Sequence, residues 1–321
     1  MNTTTTINDP DAVLGTLLER AQHGVDTALV SDAIGAVSLF PTDSRLRTML
    51  AILHRAQAKA SDAMAACWKA LVLAPFDEVA RQELLYCVSE QIGQGANDGH
   101  DFSLESGERQ TAQHINGIRA DHRARYAWAA RLIRNHFPNP VACTGLDAFC
   151  GNGYGSRMVS DLTGARMVGI DGSTDAVALA EQYYGQHRVV FGQAVFPFEL
   201  TPEVFDFAIS FESVEHVQHS EALLAQLCRS SRGPVFLSVP NEKALPHASF
   251  SSQFEFHHRH FTIDDICQMM SHLGMGRVLA SAGQNVYQTQ GGRLSGLIPE
   301  SEMHLRPASE NSQFVMFMFS R

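Results

Sequence analysis

The stretch Leu146-Asp147-Ala148-Phe149-Cys150-Gly151-Asn152-Gly153-Tyr154-Gly155 decides how the second half of this chain folds. A short apolar run carries an acid near its end, three glycines follow at alternate positions, and a helical pattern begins at Tyr154. Glycine allows tight turns and close backbone approach to a ligand. The segment therefore reads as a strand turning into a helix through a loop, where open α/β sheets bind ligands beyond the carboxyl ends of their strands. Further strands are predicted near Arg166–Ile170, Val189–Gly192, Phe205–Phe211, Val235–Val239, Arg277–Ala282 and Phe314–Phe319, the first being Thr144–Phe149. Helices are predicted near Tyr154–Leu162, Thr174–Tyr184, Ala222–Ser230 and Ile263–Leu273. This alternation means an α/β fold with a mostly parallel sheet.

Two features choose among nucleotide-like ligands. The spacing is G-x-G-x-G, not the G-x-G-x-x-G of dinucleotide sites, and Asp147 sits just before it. A carboxylate there would repel a pyrophosphate, which wants helix N–H groups and no nearby anion. S-adenosylmethionine carries an ammonium and a sulfonium, and an acid suits it. The second strand runs Val168-Gly169-Ile170-Asp171; an acid at that point can accept bonds from two ribose hydroxyls, with Gly172 next to it. Asp171 alone would fit NAD equally well. Asp147, Gly151, Gly153, Gly155 and Asp171 together point to S-adenosylmethionine as the cofactor.

Upstream, residues 1–12 are polar and read as a disordered tail. Residues 13–95 read as an all-α domain with an internal repeat, because Pro41-Thr42-Asp43 recurs as Pro75-Phe76-Asp77 at a spacing of 34. In that register Ala36 meets Ala70, Val37 meets Leu71, Leu39 meets Leu73 and Leu50 meets Leu84. The pattern resembles a tetratricopeptide repeat, and such arrays offer a surface to a protein partner. Residues 96–106 continue a Gly-rich, polar linker. A long helical pattern then runs from Glu108 to Phe137 and stops at Pro138-Asn139-Pro140.

With 34 acidic against 24 basic residues and a net charge of −10, the chain lacks the basic surface that nucleic acid requires. No apolar run approaches the ~20 residues of a membrane span. The start, MNTTTTINDP, has no secretory signature. Six cysteines without a C-x-x-C pair suggest free thiols and a cytoplasmic location.

From about Gly107 to the end, these residues resemble the class I S-adenosylmethionine-dependent methyltransferases. That resemblance implies a Rossmann-like, seven-stranded, mostly parallel methyltransferase sheet over residues 107–321, preceded by the all-α helical-repeat domain. Within the superfamily the chain is most similar to enzymes found with glycan and O-antigen biosynthesis. The likeness rests on Glu108-Arg109 and Arg125-Tyr126 in the leading helix, on Gly153-Tyr154-Gly155, and on Ser210-Phe211-Glu212-Ser213-Val214-Glu215-His216. It implies that Asp171 holds ribose, that residues after the third strand meet adenine, and that Phe211 and Glu212 line the methionine side. Arg125 and Tyr126 join the cofactor-binding set on the same ground. Where such enzymes often carry an Asp after the third strand, this chain has Gln193-Ala194; a Gln carbonyl can still accept from the adenine amino group.

The cofactor supplies the reactive methyl group, so the protein must position the acceptor and exclude water. A hydroxyl acceptor gains from a base, and His is suited because its ordinary pKa lies near neutrality. Of 15 His, His216 follows the fourth strand, and His257, His258 and His260 follow the fifth. His216, His258 and His257 are therefore the candidate catalytic residues. His257 and His260 are spaced i, i+3 near Glu255, but the segment reads as loop and no H-E-x-x-H occurs, so no metal is expected. Asn241-Glu242-Lys243 reads as acceptor rim, and Phe250, Phe254 and Phe256 as acceptor wall or core. The expected acceptor is a small molecule or saccharide-linked hydroxyl. Methylation of another small molecule, and a cofactor-binding interaction protein, remain as alternatives.

Overall fold

The computed structural model describes residues 9–93, 110–290 and 293–321. By Cα proximity the chain divides into two compact units, one running to Gln91 and including Gln186–Arg188, the other comprising Ile92–Gly185 and Val189–Arg321.

The first unit holds five helices: α1 (Pro10–Ala21), α2 (Thr27–Leu39), α3 (Ser44–Ala56), α4 (Ala60–Leu73) and α5 (Glu78–Gln91). Each packs on the next. The 34-residue spacing reappears as paired caps. The Asp43 carboxylate accepts from the amides of Arg45 and Leu46 before α3, and that of Asp77 accepts from Val79 and Ala80 before α5. Each satisfies amides that the first helical turn leaves unpaired. Ala36 and Ala70, matched in that register, are both buried, and the exposed Leu39 and Leu73 are matched in the same way. Helix α1 begins inside the stretch 1–12 that composition assigns to a tail. Asp9 caps α1 and Pro10 opens it, which is where proline is tolerated in a helix.

The second unit is built on seven strands: β1 (Thr144–Ala148), β2 (Arg166–Asp171), β3 (Val189–Gln193), β4 (Phe207–Phe211), β5 (Val235–Pro240), β6 (Arg277–Gln284) and β7 (Phe314–Ser320). Their order in the sheet is β3-β2-β1-β4-β5-β7-β6. All neighbouring pairs are parallel except those of β7, which runs antiparallel to both β5 and β6. Every residue of β1, β4 and β5 is buried, as expected of strands covered on both faces. The helices are α6 (Ala120–His136), α7 (Tyr154–Thr163), α8 (Thr174–Tyr184), α9 (Ser220–Ser230), α10 (His247–Phe250) and α11 (Ile263–His272). Thr262 caps α11 in a reciprocal capping box with Asp265.

The seven strands and four helices after β1 fall within a few residues of their predicted limits. The leading helix does not: α6 starts only at Ala120, and a single 3-10 turn at Ile115–Gly117 precedes it. Glu108-Arg109 and the linker 96–106 lie outside the described residues. The sequence gives no sign of several short elements, among them the hairpin Tyr287–Gln290 with Arg293–Leu297, the pairing of Ile92–Gly93 with Glu199–Leu200, α10 and the 3-10 turn Val214–His216. Each is short, so periodicity leaves little trace.

Candidate active site

Because β1, β2, β4 and β5 are parallel, the residues following them emerge on one edge of the sheet. There they line a cavity of about 850 Å³. The glycine loop divides its work. Gly151, at φ +56°, borders the cavity, and a Cβ there would meet nothing within 4 Å. Gly153 and Gly155 serve packing instead. A Cβ on Gly153 would lie 2.4 Å from the Phe191 ring, and one on Gly155 would lie 2.0 Å from the Tyr126 ring. Of the three glycines expected to meet the cofactor, only Gly151 lines the cavity.

Asp147 is also displaced from its expected role. Its carboxylate is fully buried and does not line the cavity. It accepts from the Ser156 hydroxyl at 2.6 Å and the Tyr126 hydroxyl at 3.2 Å. These bonds tie β1 to α7 and α6, so Asp147 positions the cavity walls. Burial pushes its pKa up to about 7, further raised by the nearby Asp171 charge and opposed by the two hydroxyl donors.

Asp171, ending β2, does border the cavity. One carboxylate oxygen accepts from the Gly151 amide at 2.9 Å, the other from the Ser173 amide at 3.0 Å. Gly172 and Ala194 are buried, Gln193 is exposed, and none of the three lines the cavity. The Gln193 amide donates to the Gly172 carbonyl and to the Thr174 hydroxyl, which turns it back on the loop. The wall where adenine contacts were expected is instead apolar, made by Phe149, Phe196 and Pro197. Aromatic faces carry no motif spacing, which is why sequence reading passed over them.

Arg125, Tyr126, Phe211 and Glu212 all border the cavity. The Tyr126 ring meets Tyr154 and Phe211 edge-on, at 5.6 and 5.0 Å between centroids. Arg125 is buried and donates to the Gln284 amide oxygen at 2.8 Å. It also pairs with Asp121 and Glu212, each at 3.4 Å, and lies over the Phe314 ring. Glu212 accepts from the Ser238 hydroxyl at 2.7 Å. Phe149 (φ +61°) and Glu212 (φ +51°) are both left-handed residues without glycine's freedom. His122, Arg119 and Tyr287 are further wall residues that the sequence did not signal.

The three candidate catalytic histidines come together. His216, His257 and His258 all line the cavity, and the His216 and His257 rings meet edge-on at 4.6 Å. The loop after β5 is bonded to the turn after β4: the His258 amide donates to the Glu215 carbonyl at 2.8 Å, and His216 Nδ1 lies 3.1 Å from the Phe256 carbonyl. His260 stays out of the cavity. Its Nδ1 faces the Leu245 carbonyl and its Nε2 faces His257 Nδ1 at 2.8 Å. Burial holds His257 down to about pKa 3 and His260 down to about 4. Phe250 and Phe254 are core, whereas Phe256 borders the cavity. Asn241 is fully buried and its amide donates to the carbonyls of Glu310 and Ser312. It braces β7 and is no acceptor rim; Glu242 and Lys243 are likewise off the cavity wall.

The raised pKa of Asp147 fixes a sign. Its folded value, about 7, exceeds the ordinary 3.8. This group therefore stabilises the fold fully below pH 4 and loses that contribution as pH rises toward 7. The loss is at most about 1.4 kcal/mol per pH unit. Asp147→Asn cannot ionise, so its stability relative to wild type should climb between pH 4 and 7 and then level off. Urea unfolding of both ligand-free proteins across that range checks this. A difference independent of pH would mean Asp147 stays ionised throughout.

The cavity brings together an acid at the end of the second strand, an open glycine backbone and an apolar aromatic wall. A search of curated proteins finds no match to the sequence. Among solved structures, the chain is similar to magnesium protoporphyrin IX methyltransferase from Synechocystis, determined with bound SAH. The two share 16% identity over 67% of this chain and 90% of that one, at a TM-score of 0.47. It is also similar to an S-adenosylmethionine-dependent methyltransferase from Mesorhizobium loti, with 14% identity over 61% of this chain and 100% of that one, at a TM-score of 0.46. Residues 120–280 match the family described as methyltransferase domain, and the chain belongs to that family of S-adenosylmethionine-dependent enzymes.

Proposed function

We propose that this enzyme methylates a hydroxyl of a sugar or saccharide-linked acceptor in the cytoplasm, with a histidine taking the proton. The observation that carries the reading is the convergence of His216, His257 and His258 on the cavity that Asp171 and Gly151 border. S-adenosylmethionine, when bound, supplies an electrophilic methyl group. Asp171 would hold its ribose, Gly151 would let it approach the backbone, and Phe149, Phe196 and Pro197 would shield the adenine from water. Arg125 and Tyr126, fixed by Glu212 and Asp147, would shape the methionine end. Of the histidines, His257 is too weak a base, since burial keeps its pKa near 3. His258 is the exposed one and can pass a proton to water; His216 is the second candidate. The glycan preference rests on the likeness of Arg125-Tyr126, Gly153-Tyr154-Gly155 and the 210–216 segment to glycan-associated enzymes. Six cysteines outside any disulfide agree with a reducing compartment.

The N-terminal helices are read as a tetratricopeptide-like domain over residues 13–95 that recruits a protein partner, joined by a linker over 96–106. The caps at Asp43 and Asp77, 34 residues apart, support the repeat.

Three outcomes are expected. Asp171→Ala should weaken S-adenosylmethionine binding by about 2–3 kcal/mol, since charge-assisted bonds are lost; unchanged affinity in calorimetry would sink the ribose assignment. His258→Ala or His216→Ala should lower turnover by roughly 10²–10⁴-fold with cofactor affinity kept. If both retain near-normal turnover, an amine acceptor becomes the better reading. A chain beginning at Asp101 should fold and bind the cofactor, and an insoluble product would place one shared core across the proposed boundary.

A further inference from the structure

Among the described residues, one group of His, Cys, Asp and Glu side chains converges closely enough to hold a cation: Glu215, His216 and His257, whose ligand atoms all lie within 4.8 Å of one another. They come from two loops. Glu215 and His216 sit on the 3-10 turn Val214–His216 after β4, and His257 follows β5. Sequence spacing could not pair them, because it looked within one segment and matched His257 with His260.

Hydrogen bonding fixes what the two imidazoles present. A backbone carbonyl can only accept, so the nitrogen facing it carries the proton. His216 Nδ1 faces the Phe256 carbonyl, which leaves Nε2 of the neutral ring with its lone pair. For His257 the same logic runs through one more ring. His260 Nδ1 faces the Leu245 carbonyl at 2.5 Å and must be the protonated nitrogen. His260 Nε2 is then an acceptor, so His257 Nδ1 donates to it across 2.8 Å, and His257 Nε2 also carries a lone pair. Both rings are thus held in the ligating tautomer by a partner behind Nδ1, the arrangement that orients metal-bound histidines. Glu215 adds a wholly buried carboxylate, the kind of charge that is stable in a protein interior when paired or bound to a cation. The two loops are bonded to each other through His258 and Phe256, so the three groups are fixed in place before any ion arrives.

We infer that Glu215, His216 and His257 form a divalent-cation site in the wall of the methyl-transfer cavity. Two imidazoles and one carboxylate select a first-row ion such as Mn²⁺, Fe²⁺, Co²⁺ or Zn²⁺, whereas Mg²⁺ prefers oxygen ligands. Three protein ligands leave positions open toward the cavity for water or an acceptor hydroxyl, as in catalytic sites. An ion there would draw the hydroxyl oxygen into place and ease its loss of a proton. His216 is then a ligand, and the proton passes to His258. Binding of the ion does not depend on the identity of the acceptor, so this inference stands or falls apart from the proposed function.

The test uses the full-length protein after chelator treatment, titrated with Co²⁺ and followed by its visible d–d absorption. One equivalent should bind, Zn²⁺ should displace it, and Mg²⁺ should not. Glu215→Gln, His216→Ala and His257→Ala should each weaken Co²⁺ binding at least tenfold. His258→Ala, which alters the same cavity without removing a ligand, should bind Co²⁺ as wild type does. Circular dichroism and S-adenosylmethionine affinity identify any variant that has lost its fold, and the partly exposed His216 supplies a substitution less prone to that failure. No Co²⁺ uptake at millimolar concentration, or equal uptake by wild type and by well-folded ligand variants, would overturn the assignment.

Discussion

The buried carboxylate of Asp147 is the constraint on which the cavity depends. It sits near the end of β1, fully shielded from water, and is satisfied by hydroxyls from α6 and α7. A buried acid without donors would be costly, so the bonds from Tyr126 and Ser156 set where those helices can lie. Gly155 then lets the Tyr126 ring come close enough to reach the acid, and Gly153 admits Phe191 beneath the loop. The visible motif of alternating glycines is therefore mainly a packing device around one acid. Of the three, only Gly151 lines the cavity.

This explains how much of the site was legible. The strands from Thr144 to Phe319 were readable because each is a continuous apolar run bounded by turn residues, and a fully covered sheet demands that. Asp171 was readable because position at a strand end fixes what an acid can reach. Asp147, Gly153 and Gly155 stand out in the sequence, but their packing against Tyr126, Ser156 and Phe191 is not legible there, since spacing does not say which distant neighbours a residue meets. Gln193 failed for a similar reason: its amide finds partners in Gly172 and Thr174 on its own loop. The α6 limits were misjudged because the helical periodicity continues upstream of Ala120, where the chain takes a 3-10 turn instead.

The histidine cluster shows a different limit. Composition and position located His216, His257 and His258 near the carboxyl edge of the sheet. What distinguishes them is their hydrogen bonding, which only the fold supplies. His257 is held by His260, which is held by the Leu245 carbonyl. His258 is exposed, and its amide donates to the Glu215 carbonyl. Three histidines of one motif thus acquire different chemistry from the groups behind them.

Phe149 and Glu212 follow β1 and β4 directly, and both hold a left-handed backbone that a side chain disfavours. Such conformations cost of order 1–3 kcal/mol each. A campaign to make the protein more heat-resistant would therefore find glycine attractive at both positions. It would relieve that strain by deleting an aromatic wall and the counter-charge of Arg125, a trade of durability against a shaped pocket.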